Sequence, residues 1–225
     1  MPFWRLWPES CRKEISVTLF LWVIFLFLSG ASVGDAGISY SHLWGGFSTS
    51  LVNRSPEQAN NADRAAKDLN GVIISPGGIF SFNDHVGARD TGKGYLPAPI
   101  INARGGLSDI PGGGICQLAT TIYNAALEAG MEIVERHPHS RCVGYVPPGR
   151  DATILTWRKD LKLRNPHAVP LQLKLEVGEK RLTAGFWSVS GRPFRVNISS
   201  EIIPVEPEAV VAGFAGQSRE TVQAG

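Results

Sequence analysis

Apolar residues recur at helical spacing between Ile115 and Ala129, where they occupy positions 115, 118, 122, 125, 126 and 129. This spacing predicts an amphipathic helix. Gly130 suits the left-handed position just past the end of such a helix. A glycine-rich stretch at 105–114 comes directly before it. The pattern therefore predicts a helix that begins immediately after a glycine turn.

A second helix is indicated by the polar residues at its start. Positions 55–58 read Ser-Pro-Glu-Gln. The serine can cap a helix, proline suits the first helical position, and the glutamine three residues after the serine completes a capping box. We predict a helix from Ser55 to about Leu69, which Asn70-Gly71 ends.

Shorter apolar runs predict strands. Val72–Ile74 and Ile79–Phe82 flank a Ser-Pro-Gly-Gly turn and are typical of a hairpin. The other strand candidates are 132–136, 141–146, 154–164, 170–177 and 181–189, with a short terminal strand at 195–198. Together they predict an α+β fold in which the helix that bears Cys116 packs on a mostly antiparallel sheet supplied by residues 131–189.

The N-terminal segment predicts export. Residues 15–34 carry no charge and reach the length of roughly 20 apolar residues that a membrane-spanning helix needs. Basic residues precede this run and the next one is Arg54, so the positive-inside rule keeps the N-terminus in the cytoplasm. Residues 1–34 are therefore a cleaved signal peptide or a membrane anchor. The working part of the chain is predicted to be extracytoplasmic.

The remaining boundaries follow from local composition. Residues 35–54 are predicted to be a linker, and 55–194 the folded domain. Within that domain, 83–99 is predicted to be a long loop. The strand pattern fades after about Arg195, so 195–225 is predicted to be a flexible tail.

Charge and motifs exclude several classes of protein. The 225 residues include 22 Lys and Arg against 20 Asp and Glu, a formal net charge of +2, with no basic stripe typical of a nucleic-acid binder. The glycine turn lacks the Lys-Ser/Thr ending of a phosphate loop. His137 and His139 lack a clear third ligand for a metal ion. We therefore predict no nucleic acid, no cofactor and no metal.

Cys116 is the centre of the predicted chemistry. It falls in the first turn of its helix, directly after Gly112, Gly113 and Gly114. The partial positive charge at a helix N-terminus stabilises a thiolate, and glycine N–H groups can hold the oxygen of a tetrahedral intermediate. The position therefore suits a cysteine nucleophile.

A nucleophilic thiol needs a base, and the base needs an orienting group. His139 begins the second strand after the helix and is the preferred base, with His137 as the fallback. Asp151 follows the next turn and can orient the histidine. This order permits the side chains of Cys116, His139 and Asp151 to meet at one edge of the sheet.

Other interpretations of the same residues stay open. Cys116 can be a buried and inert thiol, or it can form a structural disulfide with Cys142. In an extended segment residues 137 and 139 share one face while Cys142 points to the other, which weakens the disulfide without removing it. Tyr145 and Arg150 can line a peptide groove or can simply pair at a turn.

Long segments resemble the VanW family. The resemblance rests on PGGGICQLATTIYNAALEAGMEIVERHPHS at 111–140, YVPPGRDAT at 145–153, AAKDLNGVIISPGGIFSFNDHVG at 65–87 and GYLPAPII at 94–101. It covers roughly residues 53–185. The family is named for genes found in some vancomycin-resistance clusters. Membership implies a bacterial envelope setting and does not imply a reaction.

A second resemblance is to transglutaminase-like cysteine enzymes of the papain type. It implies Cys116 as nucleophile, His139 as base and Asp151 as the orienting carboxylate. Gln117 stands where these enzymes usually have an aromatic residue, and the connection from the helix to the histidine is shorter here. The residues expected to bind substrate are Gly112, Gly113, Gly114, Gln117, Tyr145 and Arg150.

The sequence thus leads to two functional hypotheses. The first is a thiol-dependent amide hydrolase or acyl transferase that acts on cell-wall peptide, either peptidoglycan or its stem peptide. The alternative is a non-catalytic module that binds peptidoglycan or an envelope partner through the same groove.

Overall fold

The computed structural model describes residues 38–101, 106–199, 210–212 and 220–222. Two antiparallel sheets form the framework of this part of the chain. The larger sheet has the order β1 (His42–Ser50), β9 (Arg181–Ser188), β8 (Leu171–Val177), β2 (Ile73–Ile74). The smaller sheet has the order β3 (Ile79–Ser81), β7 (Lys162–Arg164), β6 (Glu132–Glu135). All of their strand pairs are antiparallel.

Helices and two smaller strand pairs complete the described residues. The α-helices are α1 (Pro56–Leu69), α2 (Phe82–Val86) and α3 (Ile115–Glu128), and a 3₁₀ turn spans Thr91–Lys93. A two-stranded ribbon consists of β4 (Pro97–Ile101) and β5 (Leu107–Pro111), and β10 (Val210–Ala212) pairs with β11 (Glu220–Val222). The predicted α+β class with a mostly antiparallel sheet is therefore confirmed.

Helix α3 packs against the larger sheet and carries the site. It contacts β1, β9 and α1, and its Leu118, Ile122 and Ala125 side chains are fully buried. Phe186 on β9 is equally buried within the same core. The helical spacing of the apolar residues thus fixes which face of α3 meets the sheet, and the first turn of the helix is left at the edge of the core.

Helix α1 has the predicted start. The Ser55 hydroxyl accepts a hydrogen bond from the Gln58 N–H at 3.3 Å, and the Gln58 side-chain oxygen accepts one from the Ser55 N–H at 3.3 Å. These two bonds satisfy N–H groups that have no partner within the helix. The capping box predicted from the sequence is therefore confirmed.

Replacing Ser55 by alanine should lower the free energy of unfolding by about 1 kcal/mol, because the Gln58 N–H loses its acceptor. Urea denaturation of the variant measures this loss. Ser55→Thr keeps a hydroxyl at the cap and should retain most of the stability. An unchanged midpoint in Ser55→Ala would mean that the cap does not stabilise the domain.

The predicted hairpin at 72–82 is wrong. The turn itself forms, with the Gly78 N–H bonded to the Ser75 carbonyl at 2.8 Å. However, β2 pairs with β8 and β3 pairs with β7, so the two strands enter different sheets. The turn residues determine where the chain reverses, whereas the partner of each strand is set by distant segments.

Several other elements differ from the predictions. Residues 35–54, predicted as a linker, contain the edge strand β1 with buried Trp44. The predicted loop 83–99 includes most of α2 and the start of β4. No strand forms at 141–146 or 195–198, and of 154–164 only β7 is a strand. Small and polar residues make up much of β1, so this strand lacks the apolar alternation that predicts a strand. Isolated apolar residues in turns, in contrast, can produce such an alternation without a strand.

The predicted N-terminal membrane segment lies outside the described residues. In the part of the chain that the structure describes, no helix has the length and apolar character to cross a membrane. The segment predicted as a flexible tail includes the strand pair β10 and β11, and most of its other residues also lie outside the described ranges.

Candidate functional site

A groove of about 770 Å³ lies at the N-terminal end of α3, and Cys116 lines it. One wall is the ribbon of β4 and β5, from which Leu107 and Ile110 face the groove. Other walls are the loop 139–145 and the segment 153–156. The thiol is therefore in a cleft of a size suited to a small ligand or a peptide segment.

The three glycines before Cys116 allow close packing at the start of α3. A Cβ on Gly113 would lie 2.3 Å from the Ala98 carbonyl oxygen, and Gly114 has a φ of +100°. A side chain at either position would therefore push β4 or α1 away from the helix start. The glycine turn thus sets the width of the groove beside the thiol.

Thr120 and His137 place the other site residues beside Cys116. The Thr120 hydroxyl, one helical turn after Cys116, donates to the Ala152 carbonyl at 3.1 Å and accepts from the Ala152 N–H at 2.9 Å. The Thr153 N–H donates to the His137 carbonyl at 2.8 Å, which brings segment 151–154 alongside 137–139. These hydrogen bonds to the backbone of Ala152 and His137, rather than a long strand, thus align the cysteine, the histidine and the aspartate.

His139 and Asp151 form a tight pair. One Asp151 oxygen, Oδ2, accepts from the His139 ring Nδ1 at 2.6 Å and from the His139 backbone N–H at 2.7 Å. Their side chains are only 8% and 11% exposed, so water does not compete for these bonds. Because Nδ1 is bonded to the carboxylate, Nε2 is the ring nitrogen left for Cys116.

Arg136 holds the other side of the carboxylate. Its Nη2 donates to Asp151 Oδ1 at 2.8 Å, and its Nε donates to the Asp151 carbonyl at 2.7 Å. Burial raises the pKa of Asp151, but the hydrogen bonds from His139 and the charges of His139 and Arg136 outweigh this and hold the pKa below its usual range. Asp151 is thus a fixed carboxylate that orients the imidazole.

The Cys116 thiol is acidic despite its burial. Its sulfur lies 3.5 Å from the Thr153 hydroxyl and 3.6 Å from the Ile154 carbonyl oxygen. Burial raises the pKa of the thiol, whereas its interactions with His139, the Ile154 backbone and Thr153 lower it by more. The net pKa of Cys116 therefore lies below that of an ordinary thiol, as in activated cysteines.

His139 shows the complementary shift. Burial lowers the pKa of its imidazole, but the hydrogen bond and charge interaction with Cys116, followed by those with Asp151, raise it above the ordinary value. A lowered thiol pKa beside a raised imidazole pKa favours a thiolate–imidazolium pair. This pair combines a nucleophile with a proton donor in the same groove.

Two of the predicted site residues lie elsewhere. His137, the fallback base, bonds through Nε2 to Glu135 at 2.9 Å. Hydrogen bonds from Lys162 and His137 lower the pKa of Glu135 to about 2. Arg150, predicted to bind substrate, donates from Nε to Asn124 at 2.6 Å and does not line the groove. Each of these two side chains is therefore bonded to another side chain, a pairing that the spacing of the sequence does not reveal.

The predicted oxyanion donors also need correction. The N–H groups of Gly112 and Gly113 donate to the Leu96 and Ile110 carbonyls at 3.3 Å, because the turn joins the ribbon to the helix. Gln117 uses both amide hydrogens to bond Thr49 and Ser50 of β1. The Cys116 N–H lies in the first helical turn, where N–H groups have no partner within the helix, and such groups can hold an oxyanion.

Tyr145 lines the groove as predicted. Its ring is half-buried below the Arg54 guanidinium, which lies 4.9 Å from the ring centroid. Burial raises the pKa of the Tyr145 hydroxyl, and a hydrogen bond with Thr120 opposes this in part. The hydroxyl therefore stays neutral and supplies a polar group to the wall of the groove.

Arg89 and Thr153 are groove residues that the sequence analysis missed. Arg89 reaches the groove from the loop after α2, and Thr153 touches the thiol. No local pattern marks either residue, because each acts across contacts between distant segments. Cys116 and Cys142 are both free thiols, so the disulfide interpretation is not the arrangement observed.

The chain matches the family model described as "VanW like protein" over residues 57–187. It is 40% identical over 130 residues to "Uncharacterized protein YoaR" of Bacillus subtilis (strain 168), an alignment that covers 58% of this chain and 43% of the relative. It is 32% identical over 129 residues to "Vancomycin B-type resistance protein VanW" of Enterococcus faecalis (strain ATCC 700802 / V583), covering 54% and 46%.

The chain therefore spans less than half of the length of these two relatives. The matched part, 57–187, contains Cys116, His139 and Asp151. No solved structure matches the chain.

Proposed function

The chain belongs to the family of VanW-like proteins, and from this premise we propose that it is a cell-envelope enzyme that cleaves or transfers an acyl group of cell-wall peptide. The observation that carries the proposal is that Cys116 and His139 line one groove, where the buried Asp151 carboxylate orients the imidazole and where thiol and imidazole shift each other's pKa. This arrangement supplies a nucleophile, a proton donor and an orienting group in one groove.

In the first half of the reaction, the Cys116 thiolate attacks the carbonyl carbon of an amide. The new C–S bond places negative charge on the carbonyl oxygen, which we expect the Cys116 N–H and the Thr153 hydroxyl to stabilise. The His139 imidazolium gives its Nε2 proton to the leaving amine nitrogen as the C–N bond breaks. A thioester on Cys116 remains.

In the second half, neutral His139 takes a proton from the acceptor as the acceptor attacks the carbonyl carbon of the thioester. The C–S bond then breaks, and the Cys116 thiolate leaves beside the His139 imidazolium. Water as acceptor gives hydrolysis, and an amine gives acyl transfer, so the same site serves both reactions. Asp151 keeps the Nδ1–H of the ring in place throughout. The order of Cys116, His139 and Asp151 along the chain supports a core similar to that of transglutaminase-like enzymes.

The envelope setting is supported by the sequence. The apolar segment 15–34 suits export, and one relative is named for resistance to vancomycin. We therefore propose cell-wall peptide as the substrate of this site. The alternative remains a binding module that uses the same groove without covalent chemistry.

The decisive experiment is the pH dependence of Cys116 alkylation in the full chain. Cys11 and Cys142 are replaced by serine, which gives the single-cysteine chain, and the rate with iodoacetamide is measured from pH 4.5 to pH 10. We expect an inflection well below the ordinary thiol pKa of about 8.5. His139→Ala should raise this inflection toward about 8.5. The alkylation rate at pH 6 should then fall about tenfold for each pH unit by which the inflection rises.

His137→Ala is the matched control, because His137 lies next to the site in sequence and bonds Glu135 instead of the thiol. It should leave the pH profile unchanged. An inflection near pH 8.5 in the single-cysteine chain, or equal effects of the two histidine variants, would contradict the role of Cys116 as a nucleophile. Either result would favour the binding module.

A further inference from the structure

Positive charge without carboxylate partners distinguishes the groove. Among the described residues, four cationic side chains line it, those of Arg54, Arg89, Arg141 and Lys159, and no Asp or Glu does. None of these four forms a salt bridge within the described residues. A cleft lined by one sign of charge concentrates ligands of the opposite sign.

Arg89 donates only to neutral acceptors, although its charge also interacts with that of Asp160, whose oxygens accept hydrogen bonds from Ser81 and Asn83. Its Nη1 donates to the Thr156 hydroxyl at 3.0 Å and its Nη2 donates to the Asn83 side-chain oxygen, both neutral acceptors. Its Nε is buried without a hydrogen-bond partner. Burial lowers the pKa of Arg89, which reflects the cost of keeping this charge away from water.

Arg89 is also close to the reacting thiol. Its charge interacts with that of Cys116, and its Cβ lies 3.3 Å from the position that a Cβ on Gly112 would occupy. The side chain is thus packed against the glycine turn that leads into the nucleophile. An anion bound by Arg89 would lie beside the amide that Cys116 attacks.

We propose that the groove selects a peptide by its free carboxylate, which Arg89 binds next to the attacked amide. This inference rests on the proposed function and narrows its substrate to peptides with a carboxylate near the scissile bond. Arg141, exposed on the loop, and Lys159 add attraction for the incoming ligand without fixing its position.

The test compares an anionic with a neutral reagent of similar size. Second-order rate constants for iodoacetate and iodoacetamide are measured on the single-cysteine chain and on free N-acetylcysteine. Both reagents form an S–C bond with the same thiolate and release iodide, so the ratio of their rates is independent of the thiol pKa. We expect the iodoacetate-to-iodoacetamide ratio for Cys116 to exceed that of the free thiol by about tenfold or more.

Arg89→Met removes the charge while keeping an apolar stem, and it should return the ratio close to that of the free thiol. Arg181→Met removes one charge from an exposed position on β9, outside the groove, and should leave the ratio high. A parent ratio equal to that of the free thiol, or an equal fall in both variants, would overturn the proposal.

A second measurement needs no variant at Arg89. Acetyl-Ala-Ala with a free carboxylate should slow the reaction of Cys116 with iodoacetamide, whereas the same peptide with a C-terminal amide should not. Equal protection by both peptides, or none by the acid, contradicts carboxylate selection. A high iodoacetate-to-iodoacetamide ratio together with an alkylation inflection near pH 8.5 would support the anion site at Arg89. It would contradict only the role of Cys116 as a nucleophile.

Discussion

Asp151→Asn should remove most of the Cys116 reactivity below pH 7 and lower the free energy of unfolding at pH 7 by about 3 kcal/mol, because it leaves buried cationic groups without their counter-charge. Asp151 Oδ2 accepts two hydrogen bonds from His139, and Oδ1 accepts one from Arg136. An asparagine amide places its NH₂ group against either Arg136 or His139. Neither orientation can replace the carboxylate.

The pH dependence of this loss has a definite sign. The pKa of Asp151 in the folded protein lies below its usual range, so the stability it contributes is present above the unfolded value of about 3.9. That stability is lost as the pH falls through the folded pKa. The difference between the parent chain and Asp151→Asn should therefore shrink below about pH 4. Because Asp151 also raises the pKa of His139, the difference should fall as well when the pH rises through the pKa of His139 in the folded protein.

Urea denaturation at a series of pH values measures the stability difference, and iodoacetamide alkylation at pH 6 measures the reactivity. Asp68→Asn is the control, since Asp68 pairs with Arg64 on the surface of α1 and such pairs contribute about 0 to 1 kcal/mol. Equal losses in the two variants, or normal alkylation in Asp151→Asn, would show that Asp151 does not orient His139.

The parts of the fold that the sequence predicts are those with local causes. Ser55 and Gln58 lie within one helical turn, so the capping box is visible without tertiary information. The apolar spacing in α3 and the alternation in β9 each report one buried face. These patterns lie in contiguous segments, and the structure confirms them.

The parts that the sequence does not predict depend on distant partners. Strand β1 has a Gly-Gly-Phe-Ser-Thr-Ser stretch at 45–50 that lacks apolar alternation, and it becomes a strand by pairing with β9. Residues 141–146 have strand-like composition but find no partner strand. Pairing between remote segments, rather than propensity, decides these cases.

The same distinction holds within the site. Cys116 follows a glycine turn, His139 lies in the irregular segment after β6 and Asp151 follows a tight turn, and each is marked by its neighbours in the sequence. Arg89 carries no such mark, since its role arises from the fold of the loop that follows α2. The hydrogen bonds of His137 to Glu135 and of Gln117 to β1 likewise occupy groups that the sequence alone leaves open.

Gly113→Ala should lower the free energy of unfolding by about 2 to 3 kcal/mol, because the new Cβ would lie 2.3 Å from the Ala98 carbonyl oxygen. The start of α3 is anchored in the core by Ile115 and Leu118, which are at most 1% exposed. The two-stranded ribbon, with Leu107 largely exposed, has less to hold it. We therefore expect the clash to displace the ribbon of β4 and β5 and to leave helix α3 in position.

Gly144→Ala is the matched control, because a Cβ there meets nothing within 4 Å although Gly144 lines the same groove. Its stability should change by no more than about 0.5 kcal/mol. Urea denaturation measures both variants, and limited proteolysis should cut the ribbon at 97–111 faster in Gly113→Ala alone. Because the helix and His139 stay in place, the pH inflection of Cys116 alkylation should be retained. Equal midpoints for the two variants would show that the glycine turn does not hold the ribbon against the thiol.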